Sequence, residues 1–151
     1  MRVATHFGTL AALSMMLGLM RWPSIHWELA RVYATASPQQ QTVLDGVFLG
    51  LNRYLGNFIG EFLGELSVSI FFLISALAIL RPESSYRHWA GYLGLVTAIA
   101  GMIGMFRNVT GAVAWIAEIN NYLLPLWMIV FGVLLIRTPR STVGEPAMIS
   151  A

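Results

Sequence analysis

Four residues of one short stretch have the types and the spacing to act together. In LNRYLGNFIGEFLGELSV, Arg53, Asn57, Glu61 and Glu65 follow one another at intervals of four, which makes them neighbours on one face if the segment is helical. A guanidinium, an amide and two carboxylates on a shared face can hold a polar ligand, exchange a proton or simply pair. The stretch leads into an apolar run that ends at Leu80, and charges in such a setting usually face a bundle interior, a partner or a water-filled cavity.

Glu118, Asn120 and Asn121, followed by Pro125, form a second polar island inside an apolar run. If the islands meet, Glu118 faces Glu61 or Arg53. A polar cavity is then lined by Arg53, Asn57, Glu61, Glu65, Glu118 and Asn121. The structural alternative has Arg53 and the carboxylates pairing with neighbours or water at a wet edge, and Glu118 at a solvated entrance to a helix beginning near Asn121. Pro125 has no N–H and predicts a break in the turn before it.

Beside the polar stripe runs a second one. Gly56, Gly60 and Gly64 repeat at four, the GxxxGxxxG spacing that lets helix backbones approach closely in membranes. Gly94, Gly101 and Gly104 predict similar packing further on. No Asp, Glu, Lys, Arg or His stands between Trp89 and Phe106, so that run is read as packing or lipid-facing.

Other chemistries lack their residues. The chain has no Cys, which removes thiolate catalysis, disulfides and Cys-ligated metals. GxxxxGK[ST], GxGxxG after a strand, HExxH and GxSxG do not occur, so phosphate-loop, dinucleotide, zincin and serine-hydrolase readings have no motif to stand on. His6, His26 and His88 are spread over the chain and read as structural, so neither a metal site nor a cofactor is expected. No catalytic residue is assigned. The basic residues are nine Arg and no Lys, with a net charge of +2. They form no cluster of the kind nucleic acid needs.

The elements that would position the stripes follow from composition. Of the 151 residues, 57% are hydrophobic and 11% charged, against about 25% charged in soluble domains. The fold class expected is an all-α integral membrane bundle of four transmembrane helices. Apolar runs at about 3–20, 60–80, 88–106 and 112–136 each approach the ~20 residues that cross a bilayer. The first meets Arg21, Trp22 and Pro23 rather than a small-residue cleavage site, which favours a retained anchor. Residues 1–140 make one domain, 141–151 a flexible tail, and 21–59 an external segment. Within that segment Ile25 to Ala34 predicts a short amphipathic helix near the surface. Ser37, Pro38 and Gln40 predict a capped helix start. A helix from Pro38 to Leu80 would be about 64 Å long, so it must project, tilt or break. Arg2, Arg81, Arg87, Arg137 and Arg140 against Arg21, Arg31, Arg53 and Arg107 give a small inside bias, placing both termini in the cytoplasm.

Arg53, Asn57 and Glu61 are similar in type to the Arg, Asn and Glu signature of membrane-associated glutathione and eicosanoid enzymes. The Asn-to-Glu step there is one residue shorter, and the Arg-Ala-His or Arg-Ala-Gln context is missing here. LMRWP at 19–23, ELARVYA at 28–34, GEFLGEL at 60–66, RHWAGYLGLV at 87–96 and LLPLWMIVFGVLLIR at 123–137 together resemble a bacterial membrane family called domain of unknown function 4386. The chain looks like the later portion of that pattern. The resemblance implies a helical fold in the bacterial inner membrane and supplies no reaction.

Two functions are therefore expected to compete. One is a non-enzymatic accessory subunit, or a binder of lipid or a small hydrophobic molecule, with membrane lipids and a protein partner or a second copy of itself as neighbours. The other is a membrane enzyme or proton-linked carrier that uses the Arg and Glu cluster.

Overall fold

The computed structural model describes residues 2–82 and 88–137. The inside markers Arg87 and Arg140, and the tail 141–151, lie outside the described residues. Among the described residues every regular element is helical: α1 Arg2–Met20, α2 Trp27–Tyr33, α3 Pro38–Leu51, α4 Gly64–Ile79, α5 His88–Gly104 and α6 Ala114–Arg137. π-Helical stretches Trp22–His26 and Asn52–Leu63 join α1 to α2 and α3 to α4. Four continuous helices result, Arg2–Tyr33, Pro38–Ile79, His88–Asn108 and Gly111–Arg137, each long and apolar enough to cross a membrane.

The segment 21–59 differs from its expected form. The short helix does not stand apart from α1; it continues α1 through the Trp22–His26 turn, where Pro23 occupies one of the first positions and needs no N–H partner. After a tight connection, Pro38 opens the second long helix. The Ser37 amide donates to Gln40 Oε1 at 2.9 Å in the expected capping box. Of the three ways to fit so long a helix, a break is not used, for Pro38–Ile79 runs on as one continuous helix. At 1.5 Å per residue the first two helices measure about 48 and 63 Å, well beyond the ~30 Å of a hydrocarbon core. They form a hairpin that reaches past the shorter pair.

Packing is governed by small residues. α1 turns Ala4, Ala11, Ser14 and Gly18 inward, while α5 buries only Ala, Gly and Thr. With so little side chain between them, backbones come close. A Cβ on Gly18 would stand 2.6 Å from Gly60 Cα, and one on Gly64 would stand 2.8 Å from Met15 Cγ. The GxxxGxxxG stripe is thus the contact of the second long helix with α1. α4 lies in the middle, with α1 on one side and α5 on the other, and α6 packs against α5. α1 and α6 share no extensive contact.

An aromatic core fills the space between α4, α5 and α6. Trp127 is fully buried against Phe72 at 4.6 Å and stacks on Phe131 at 4.9 Å. Its indole Nε1 donates to the Ala90 carbonyl at 2.8 Å, and Gly94 leaves room for the ring. Large apolar side chains face outward instead, among them Leu13 and Leu17 on α1, Val96 and Ile99 on α5, and Ile129 and Val133 on α6.

α6 continues through Pro125 as one helix. The expected break is absent because loss of one N–H frees a single carbonyl, that of Asn121, while the rest of the ladder persists.

Gly46 and Gly50 in α3 have nothing within 4 Å of an added Cβ. Each Gly→Ala change there is expected to raise stability by about 0.4–1 kcal/mol, since the helix permits Ala and the unfolded chain loses freedom. Thermal unfolding of the purified variants in detergent measures it.

Candidate functional site

The two stripes of the second long helix take different neighbours. Asn52, Gly56, Gly60 and Gly64 face α1: Arg21 Nε donates to Asn52 Oδ1 at 3.0 Å, and the Arg21 guanidinium lies over Gly56. The adjoining polar face descends from exposed Arg53 through half-buried Asn57 and Glu61 to Glu65, which is 5% exposed. Most of this stretch is π-helical, a widened form most often found as single turns at functional sites. Tyr54, Phe58 and Phe62 stack in a column on its outer side at 6.4 and 6.0 Å.

The cation that meets the carboxylates is Arg107, not Arg53. It stands on the 3-10 turn Met105–Asn108 that follows α5. Its Nη1 lies 3.0 Å from Glu65 Oε2 and its Nη2 lies 3.4 Å from Glu61 Oε2. Asn108 Nδ2 donates to the same Glu61 oxygen at 2.7 Å. From α6, buried Asn120 donates to Glu65 Oε1 at 3.5 Å. Gly101 makes this possible, since a Cβ there would stand 3.2 Å from Asn120 Nδ2. The Arg107 approach to Glu65 is off-axis, for neither atom has an aligned hydrogen bond. The contact is therefore mainly Coulombic.

A half-open groove of about 280 Å³ lies over this cluster. Met15, Gly18 and Leu19 of α1 form one wall, Asn121 and Leu124 of α6 the other, with Gly56 and Gly60 at the back. Arg21, Glu61, Glu65 and Arg107 supply its charge. The exposed wall is mostly apolar and its charged groups belong to the end where the long hairpin projects.

Of the six residues expected to line one cavity, Glu61, Glu65 and Asn121 do so together. Arg53 and Asn57 instead line a second, larger hollow of about 840 Å³ with Phe58, Phe62 and Phe106, on the other side of Arg107. Glu118 does not join: it is exposed and lines neither space. On α6 the inward position is two residues on, at Asn120. Sequence reasoning missed Arg107, Asn108 and Arg21 as site residues. The available signal was positional, because Arg21 and Arg107 end apolar runs at the same end of the bundle as Glu61.

His26, on the projecting hairpin beyond the apolar run 3–20, sits between Trp22 and Phe48 at centroid distances of 4.9 and 4.3 Å. Burial, and secondarily the Arg21 charge, hold its pKa below the ordinary histidine value. The folded state thus favours neutral imidazole. This contribution is fully present above a pH of about 6.5 and is lost as pH falls through the lower folded value. Unfolding temperatures measured from about pH 7.5 to 5 should fall for the native chain and flatten for His26→Phe.

Among the described residues, no group of three or more His, Asp or Glu side chains is placed to hold a metal ion. Comparison of the chain with family models, with curated proteins and with solved structures finds no match.

Proposed function

We propose that this chain is a four-span protein of the bacterial inner membrane, with both termini cytoplasmic, that binds a lipid or small hydrophobic molecule without chemical change. The observation that carries the reading is the groove itself: mostly apolar walls, charged groups gathered at one end and an edge between two helices that do not close on each other. The outward-facing large side chains and inward small ones support a bilayer as solvent, because packing in lipid relies on close backbone approach. Its resemblance to domain of unknown function 4386 belongs to the same proposal, as does an accessory role beside a protein partner or a second copy.

Native mass spectrometry after purification in mild detergent tests the reading. The folded chain should retain a lipid or lipid-sized molecule. Leu19→Trp, which fills the groove from α1, should lose it while its delipidated form unfolds at the same temperature as the delipidated native chain. A native chain that carries nothing under conditions that preserve its fold would sink the proposal.

One observation favours a second reading, a proton-linked carrier or membrane enzyme: Glu61 and Glu65 share a single guanidinium, an arrangement in which one proton can replace part of the cation's role. Glu61→Gln and Glu65→Gln would then abolish proton-coupled uptake or turnover in vesicles while the protein stays folded. Unchanged transport in both variants would remove this reading.

A further inference from the structure

The two charged groups at the groove mouth are each half used. Arg21 Nε donates to Asn52 and Nη1 donates to the Gly18 carbonyl, whereas Nη2 lies against Gly56 and makes none of the described hydrogen bonds. Its partners are neutral, and among the described residues no carboxylate lies within ion-pair distance of it. The guanidinium is fixed from two sides and also lies 5.0 Å from the Trp22 ring. Among the described residues it is a positioned cation with no paired counter-charge. Glu61 is its complement. Both Arg107 and Asn108 engage Oε2, and Oε1 takes part in neither contact. Two carboxylates answer the single Arg107 guanidinium, while the second cation of the groove, Arg21, forms an ion pair with neither of them. Arg53 stands in the hollow on the other side and does not join them.

Resting on the lipid-binding reading of this groove, we infer that its ligand is a phospholipid whose head joins a phosphate to a primary ammonium, as phosphoethanolamine does. The phosphate oxygen accepts from Arg21 Nη2, a charge-assisted bond of the kind that guanidinium geometry favours. The ammonium donates to Glu61 Oε1, five residues beyond Gly56 and so about one turn further along the π-helix. A volume of about 280 Å³ is at or below the lower end for drug-sized ligands. It takes a headgroup, and the chains must leave past Leu19 and Leu124. A quaternary ammonium cannot donate to Glu61, and a glycerol head brings no cation to the acidic side.

The test offers the delipidated full chain, in detergent, an equimolar mixture of phosphatidylethanolamine, phosphatidylcholine and phosphatidylglycerol, and reads retention by native mass spectrometry. Phosphatidylethanolamine should be retained about tenfold over the other two, the ratio a single charge-assisted bond commonly supplies. Glu61→Gln should reduce phosphatidylethanolamine towards the phosphatidylcholine level, and Arg21→Gln should lower all three. Equal retention of the three lipids by the native chain overturns the inference while leaving lipid binding intact. Retention of no lipid overturns both. Should Arg21→Gln fail to fold, the native preference together with the Glu61→Gln result decides. Soluble phosphoethanolamine binding as tightly as the lipid would overturn the membrane source of the head.

Discussion

Arg107→Leu is expected to destabilise the fold by about 3 kcal/mol, the lower end of what breaking a buried ion pair costs. The reason is what remains. Glu65, with its side chain 7% exposed, keeps a carboxylate with only the long Asn120 hydrogen bond to satisfy it. Glu61 is more exposed, at 38%, and water can replace its lost partner. The lower end is chosen because Arg107 itself is 26% exposed, so solvent already screens part of the attraction. Glu65→Leu in the same chain should restore most of the loss, because an apolar pair of similar volume is often neutral or better than the ion pair. Unfolding of the single and double variants in detergent closes the cycle. If Arg107→Leu proves neutral, the cluster does not hold the helices together. Measured on delipidated protein, the result reports the ion pair separately from any ligand the groove holds.

Gly18→Leu should have the larger structural effect. Its Cβ would meet Gly60 Cα at 2.6 Å, with Gly60 N and Leu55 O at 3.2 Å. These are backbone atoms and cannot rotate away. Overpacking commonly costs about 1–3 kcal/mol, and a backbone obstacle puts this case at or beyond the top of that range. The expected outcome is separation of α1 from the second long helix rather than local strain. The Cys-free chain allows a direct measurement: Met15→Cys with Gly64→Cys should form a disulfide in the native background and fail to do so with Gly18→Leu. Crosslinking at the native rate would show that the contact tolerates a side chain.

How much of this could be read in the sequence differs between elements. The long apolar runs and the glycine repeat determine four long helices and a close contact, because both depend on local spacing. The Ser37–Gln40 cap is legible for the same reason. The pairing of Arg107 with Glu61 and Glu65 is not, since it joins residues more than forty positions apart and depends on how α5 ends. Glu118 and Asn120 show the limit most clearly. Both sit in one polar island, and only the rotation of α6, set by burying Ala117 and Trp127, decides that the amide enters the cluster and the carboxylate faces out. The π-helical stretch has no sequence signal here that periodicity alone reveals. Pro125 misleads for a physical reason: a single missing donor is tolerable where its freed carbonyl, at Asn121, borders a groove.

On the lipid-binding reading proposed above, the unclosed edge between α1 and α6 changes what concentration means for this protein. For a groove entered sideways from a bilayer, occupancy is set by the mole fraction of the ligand within one leaflet, and dilution of the aqueous phase leaves it unchanged. Detergent then acts as a competitor rather than a solvent, because its tails can enter where Leu19 and Leu124 stand apart. Affinity compared between micelles and bilayers should therefore differ even when every contact to the head is the same.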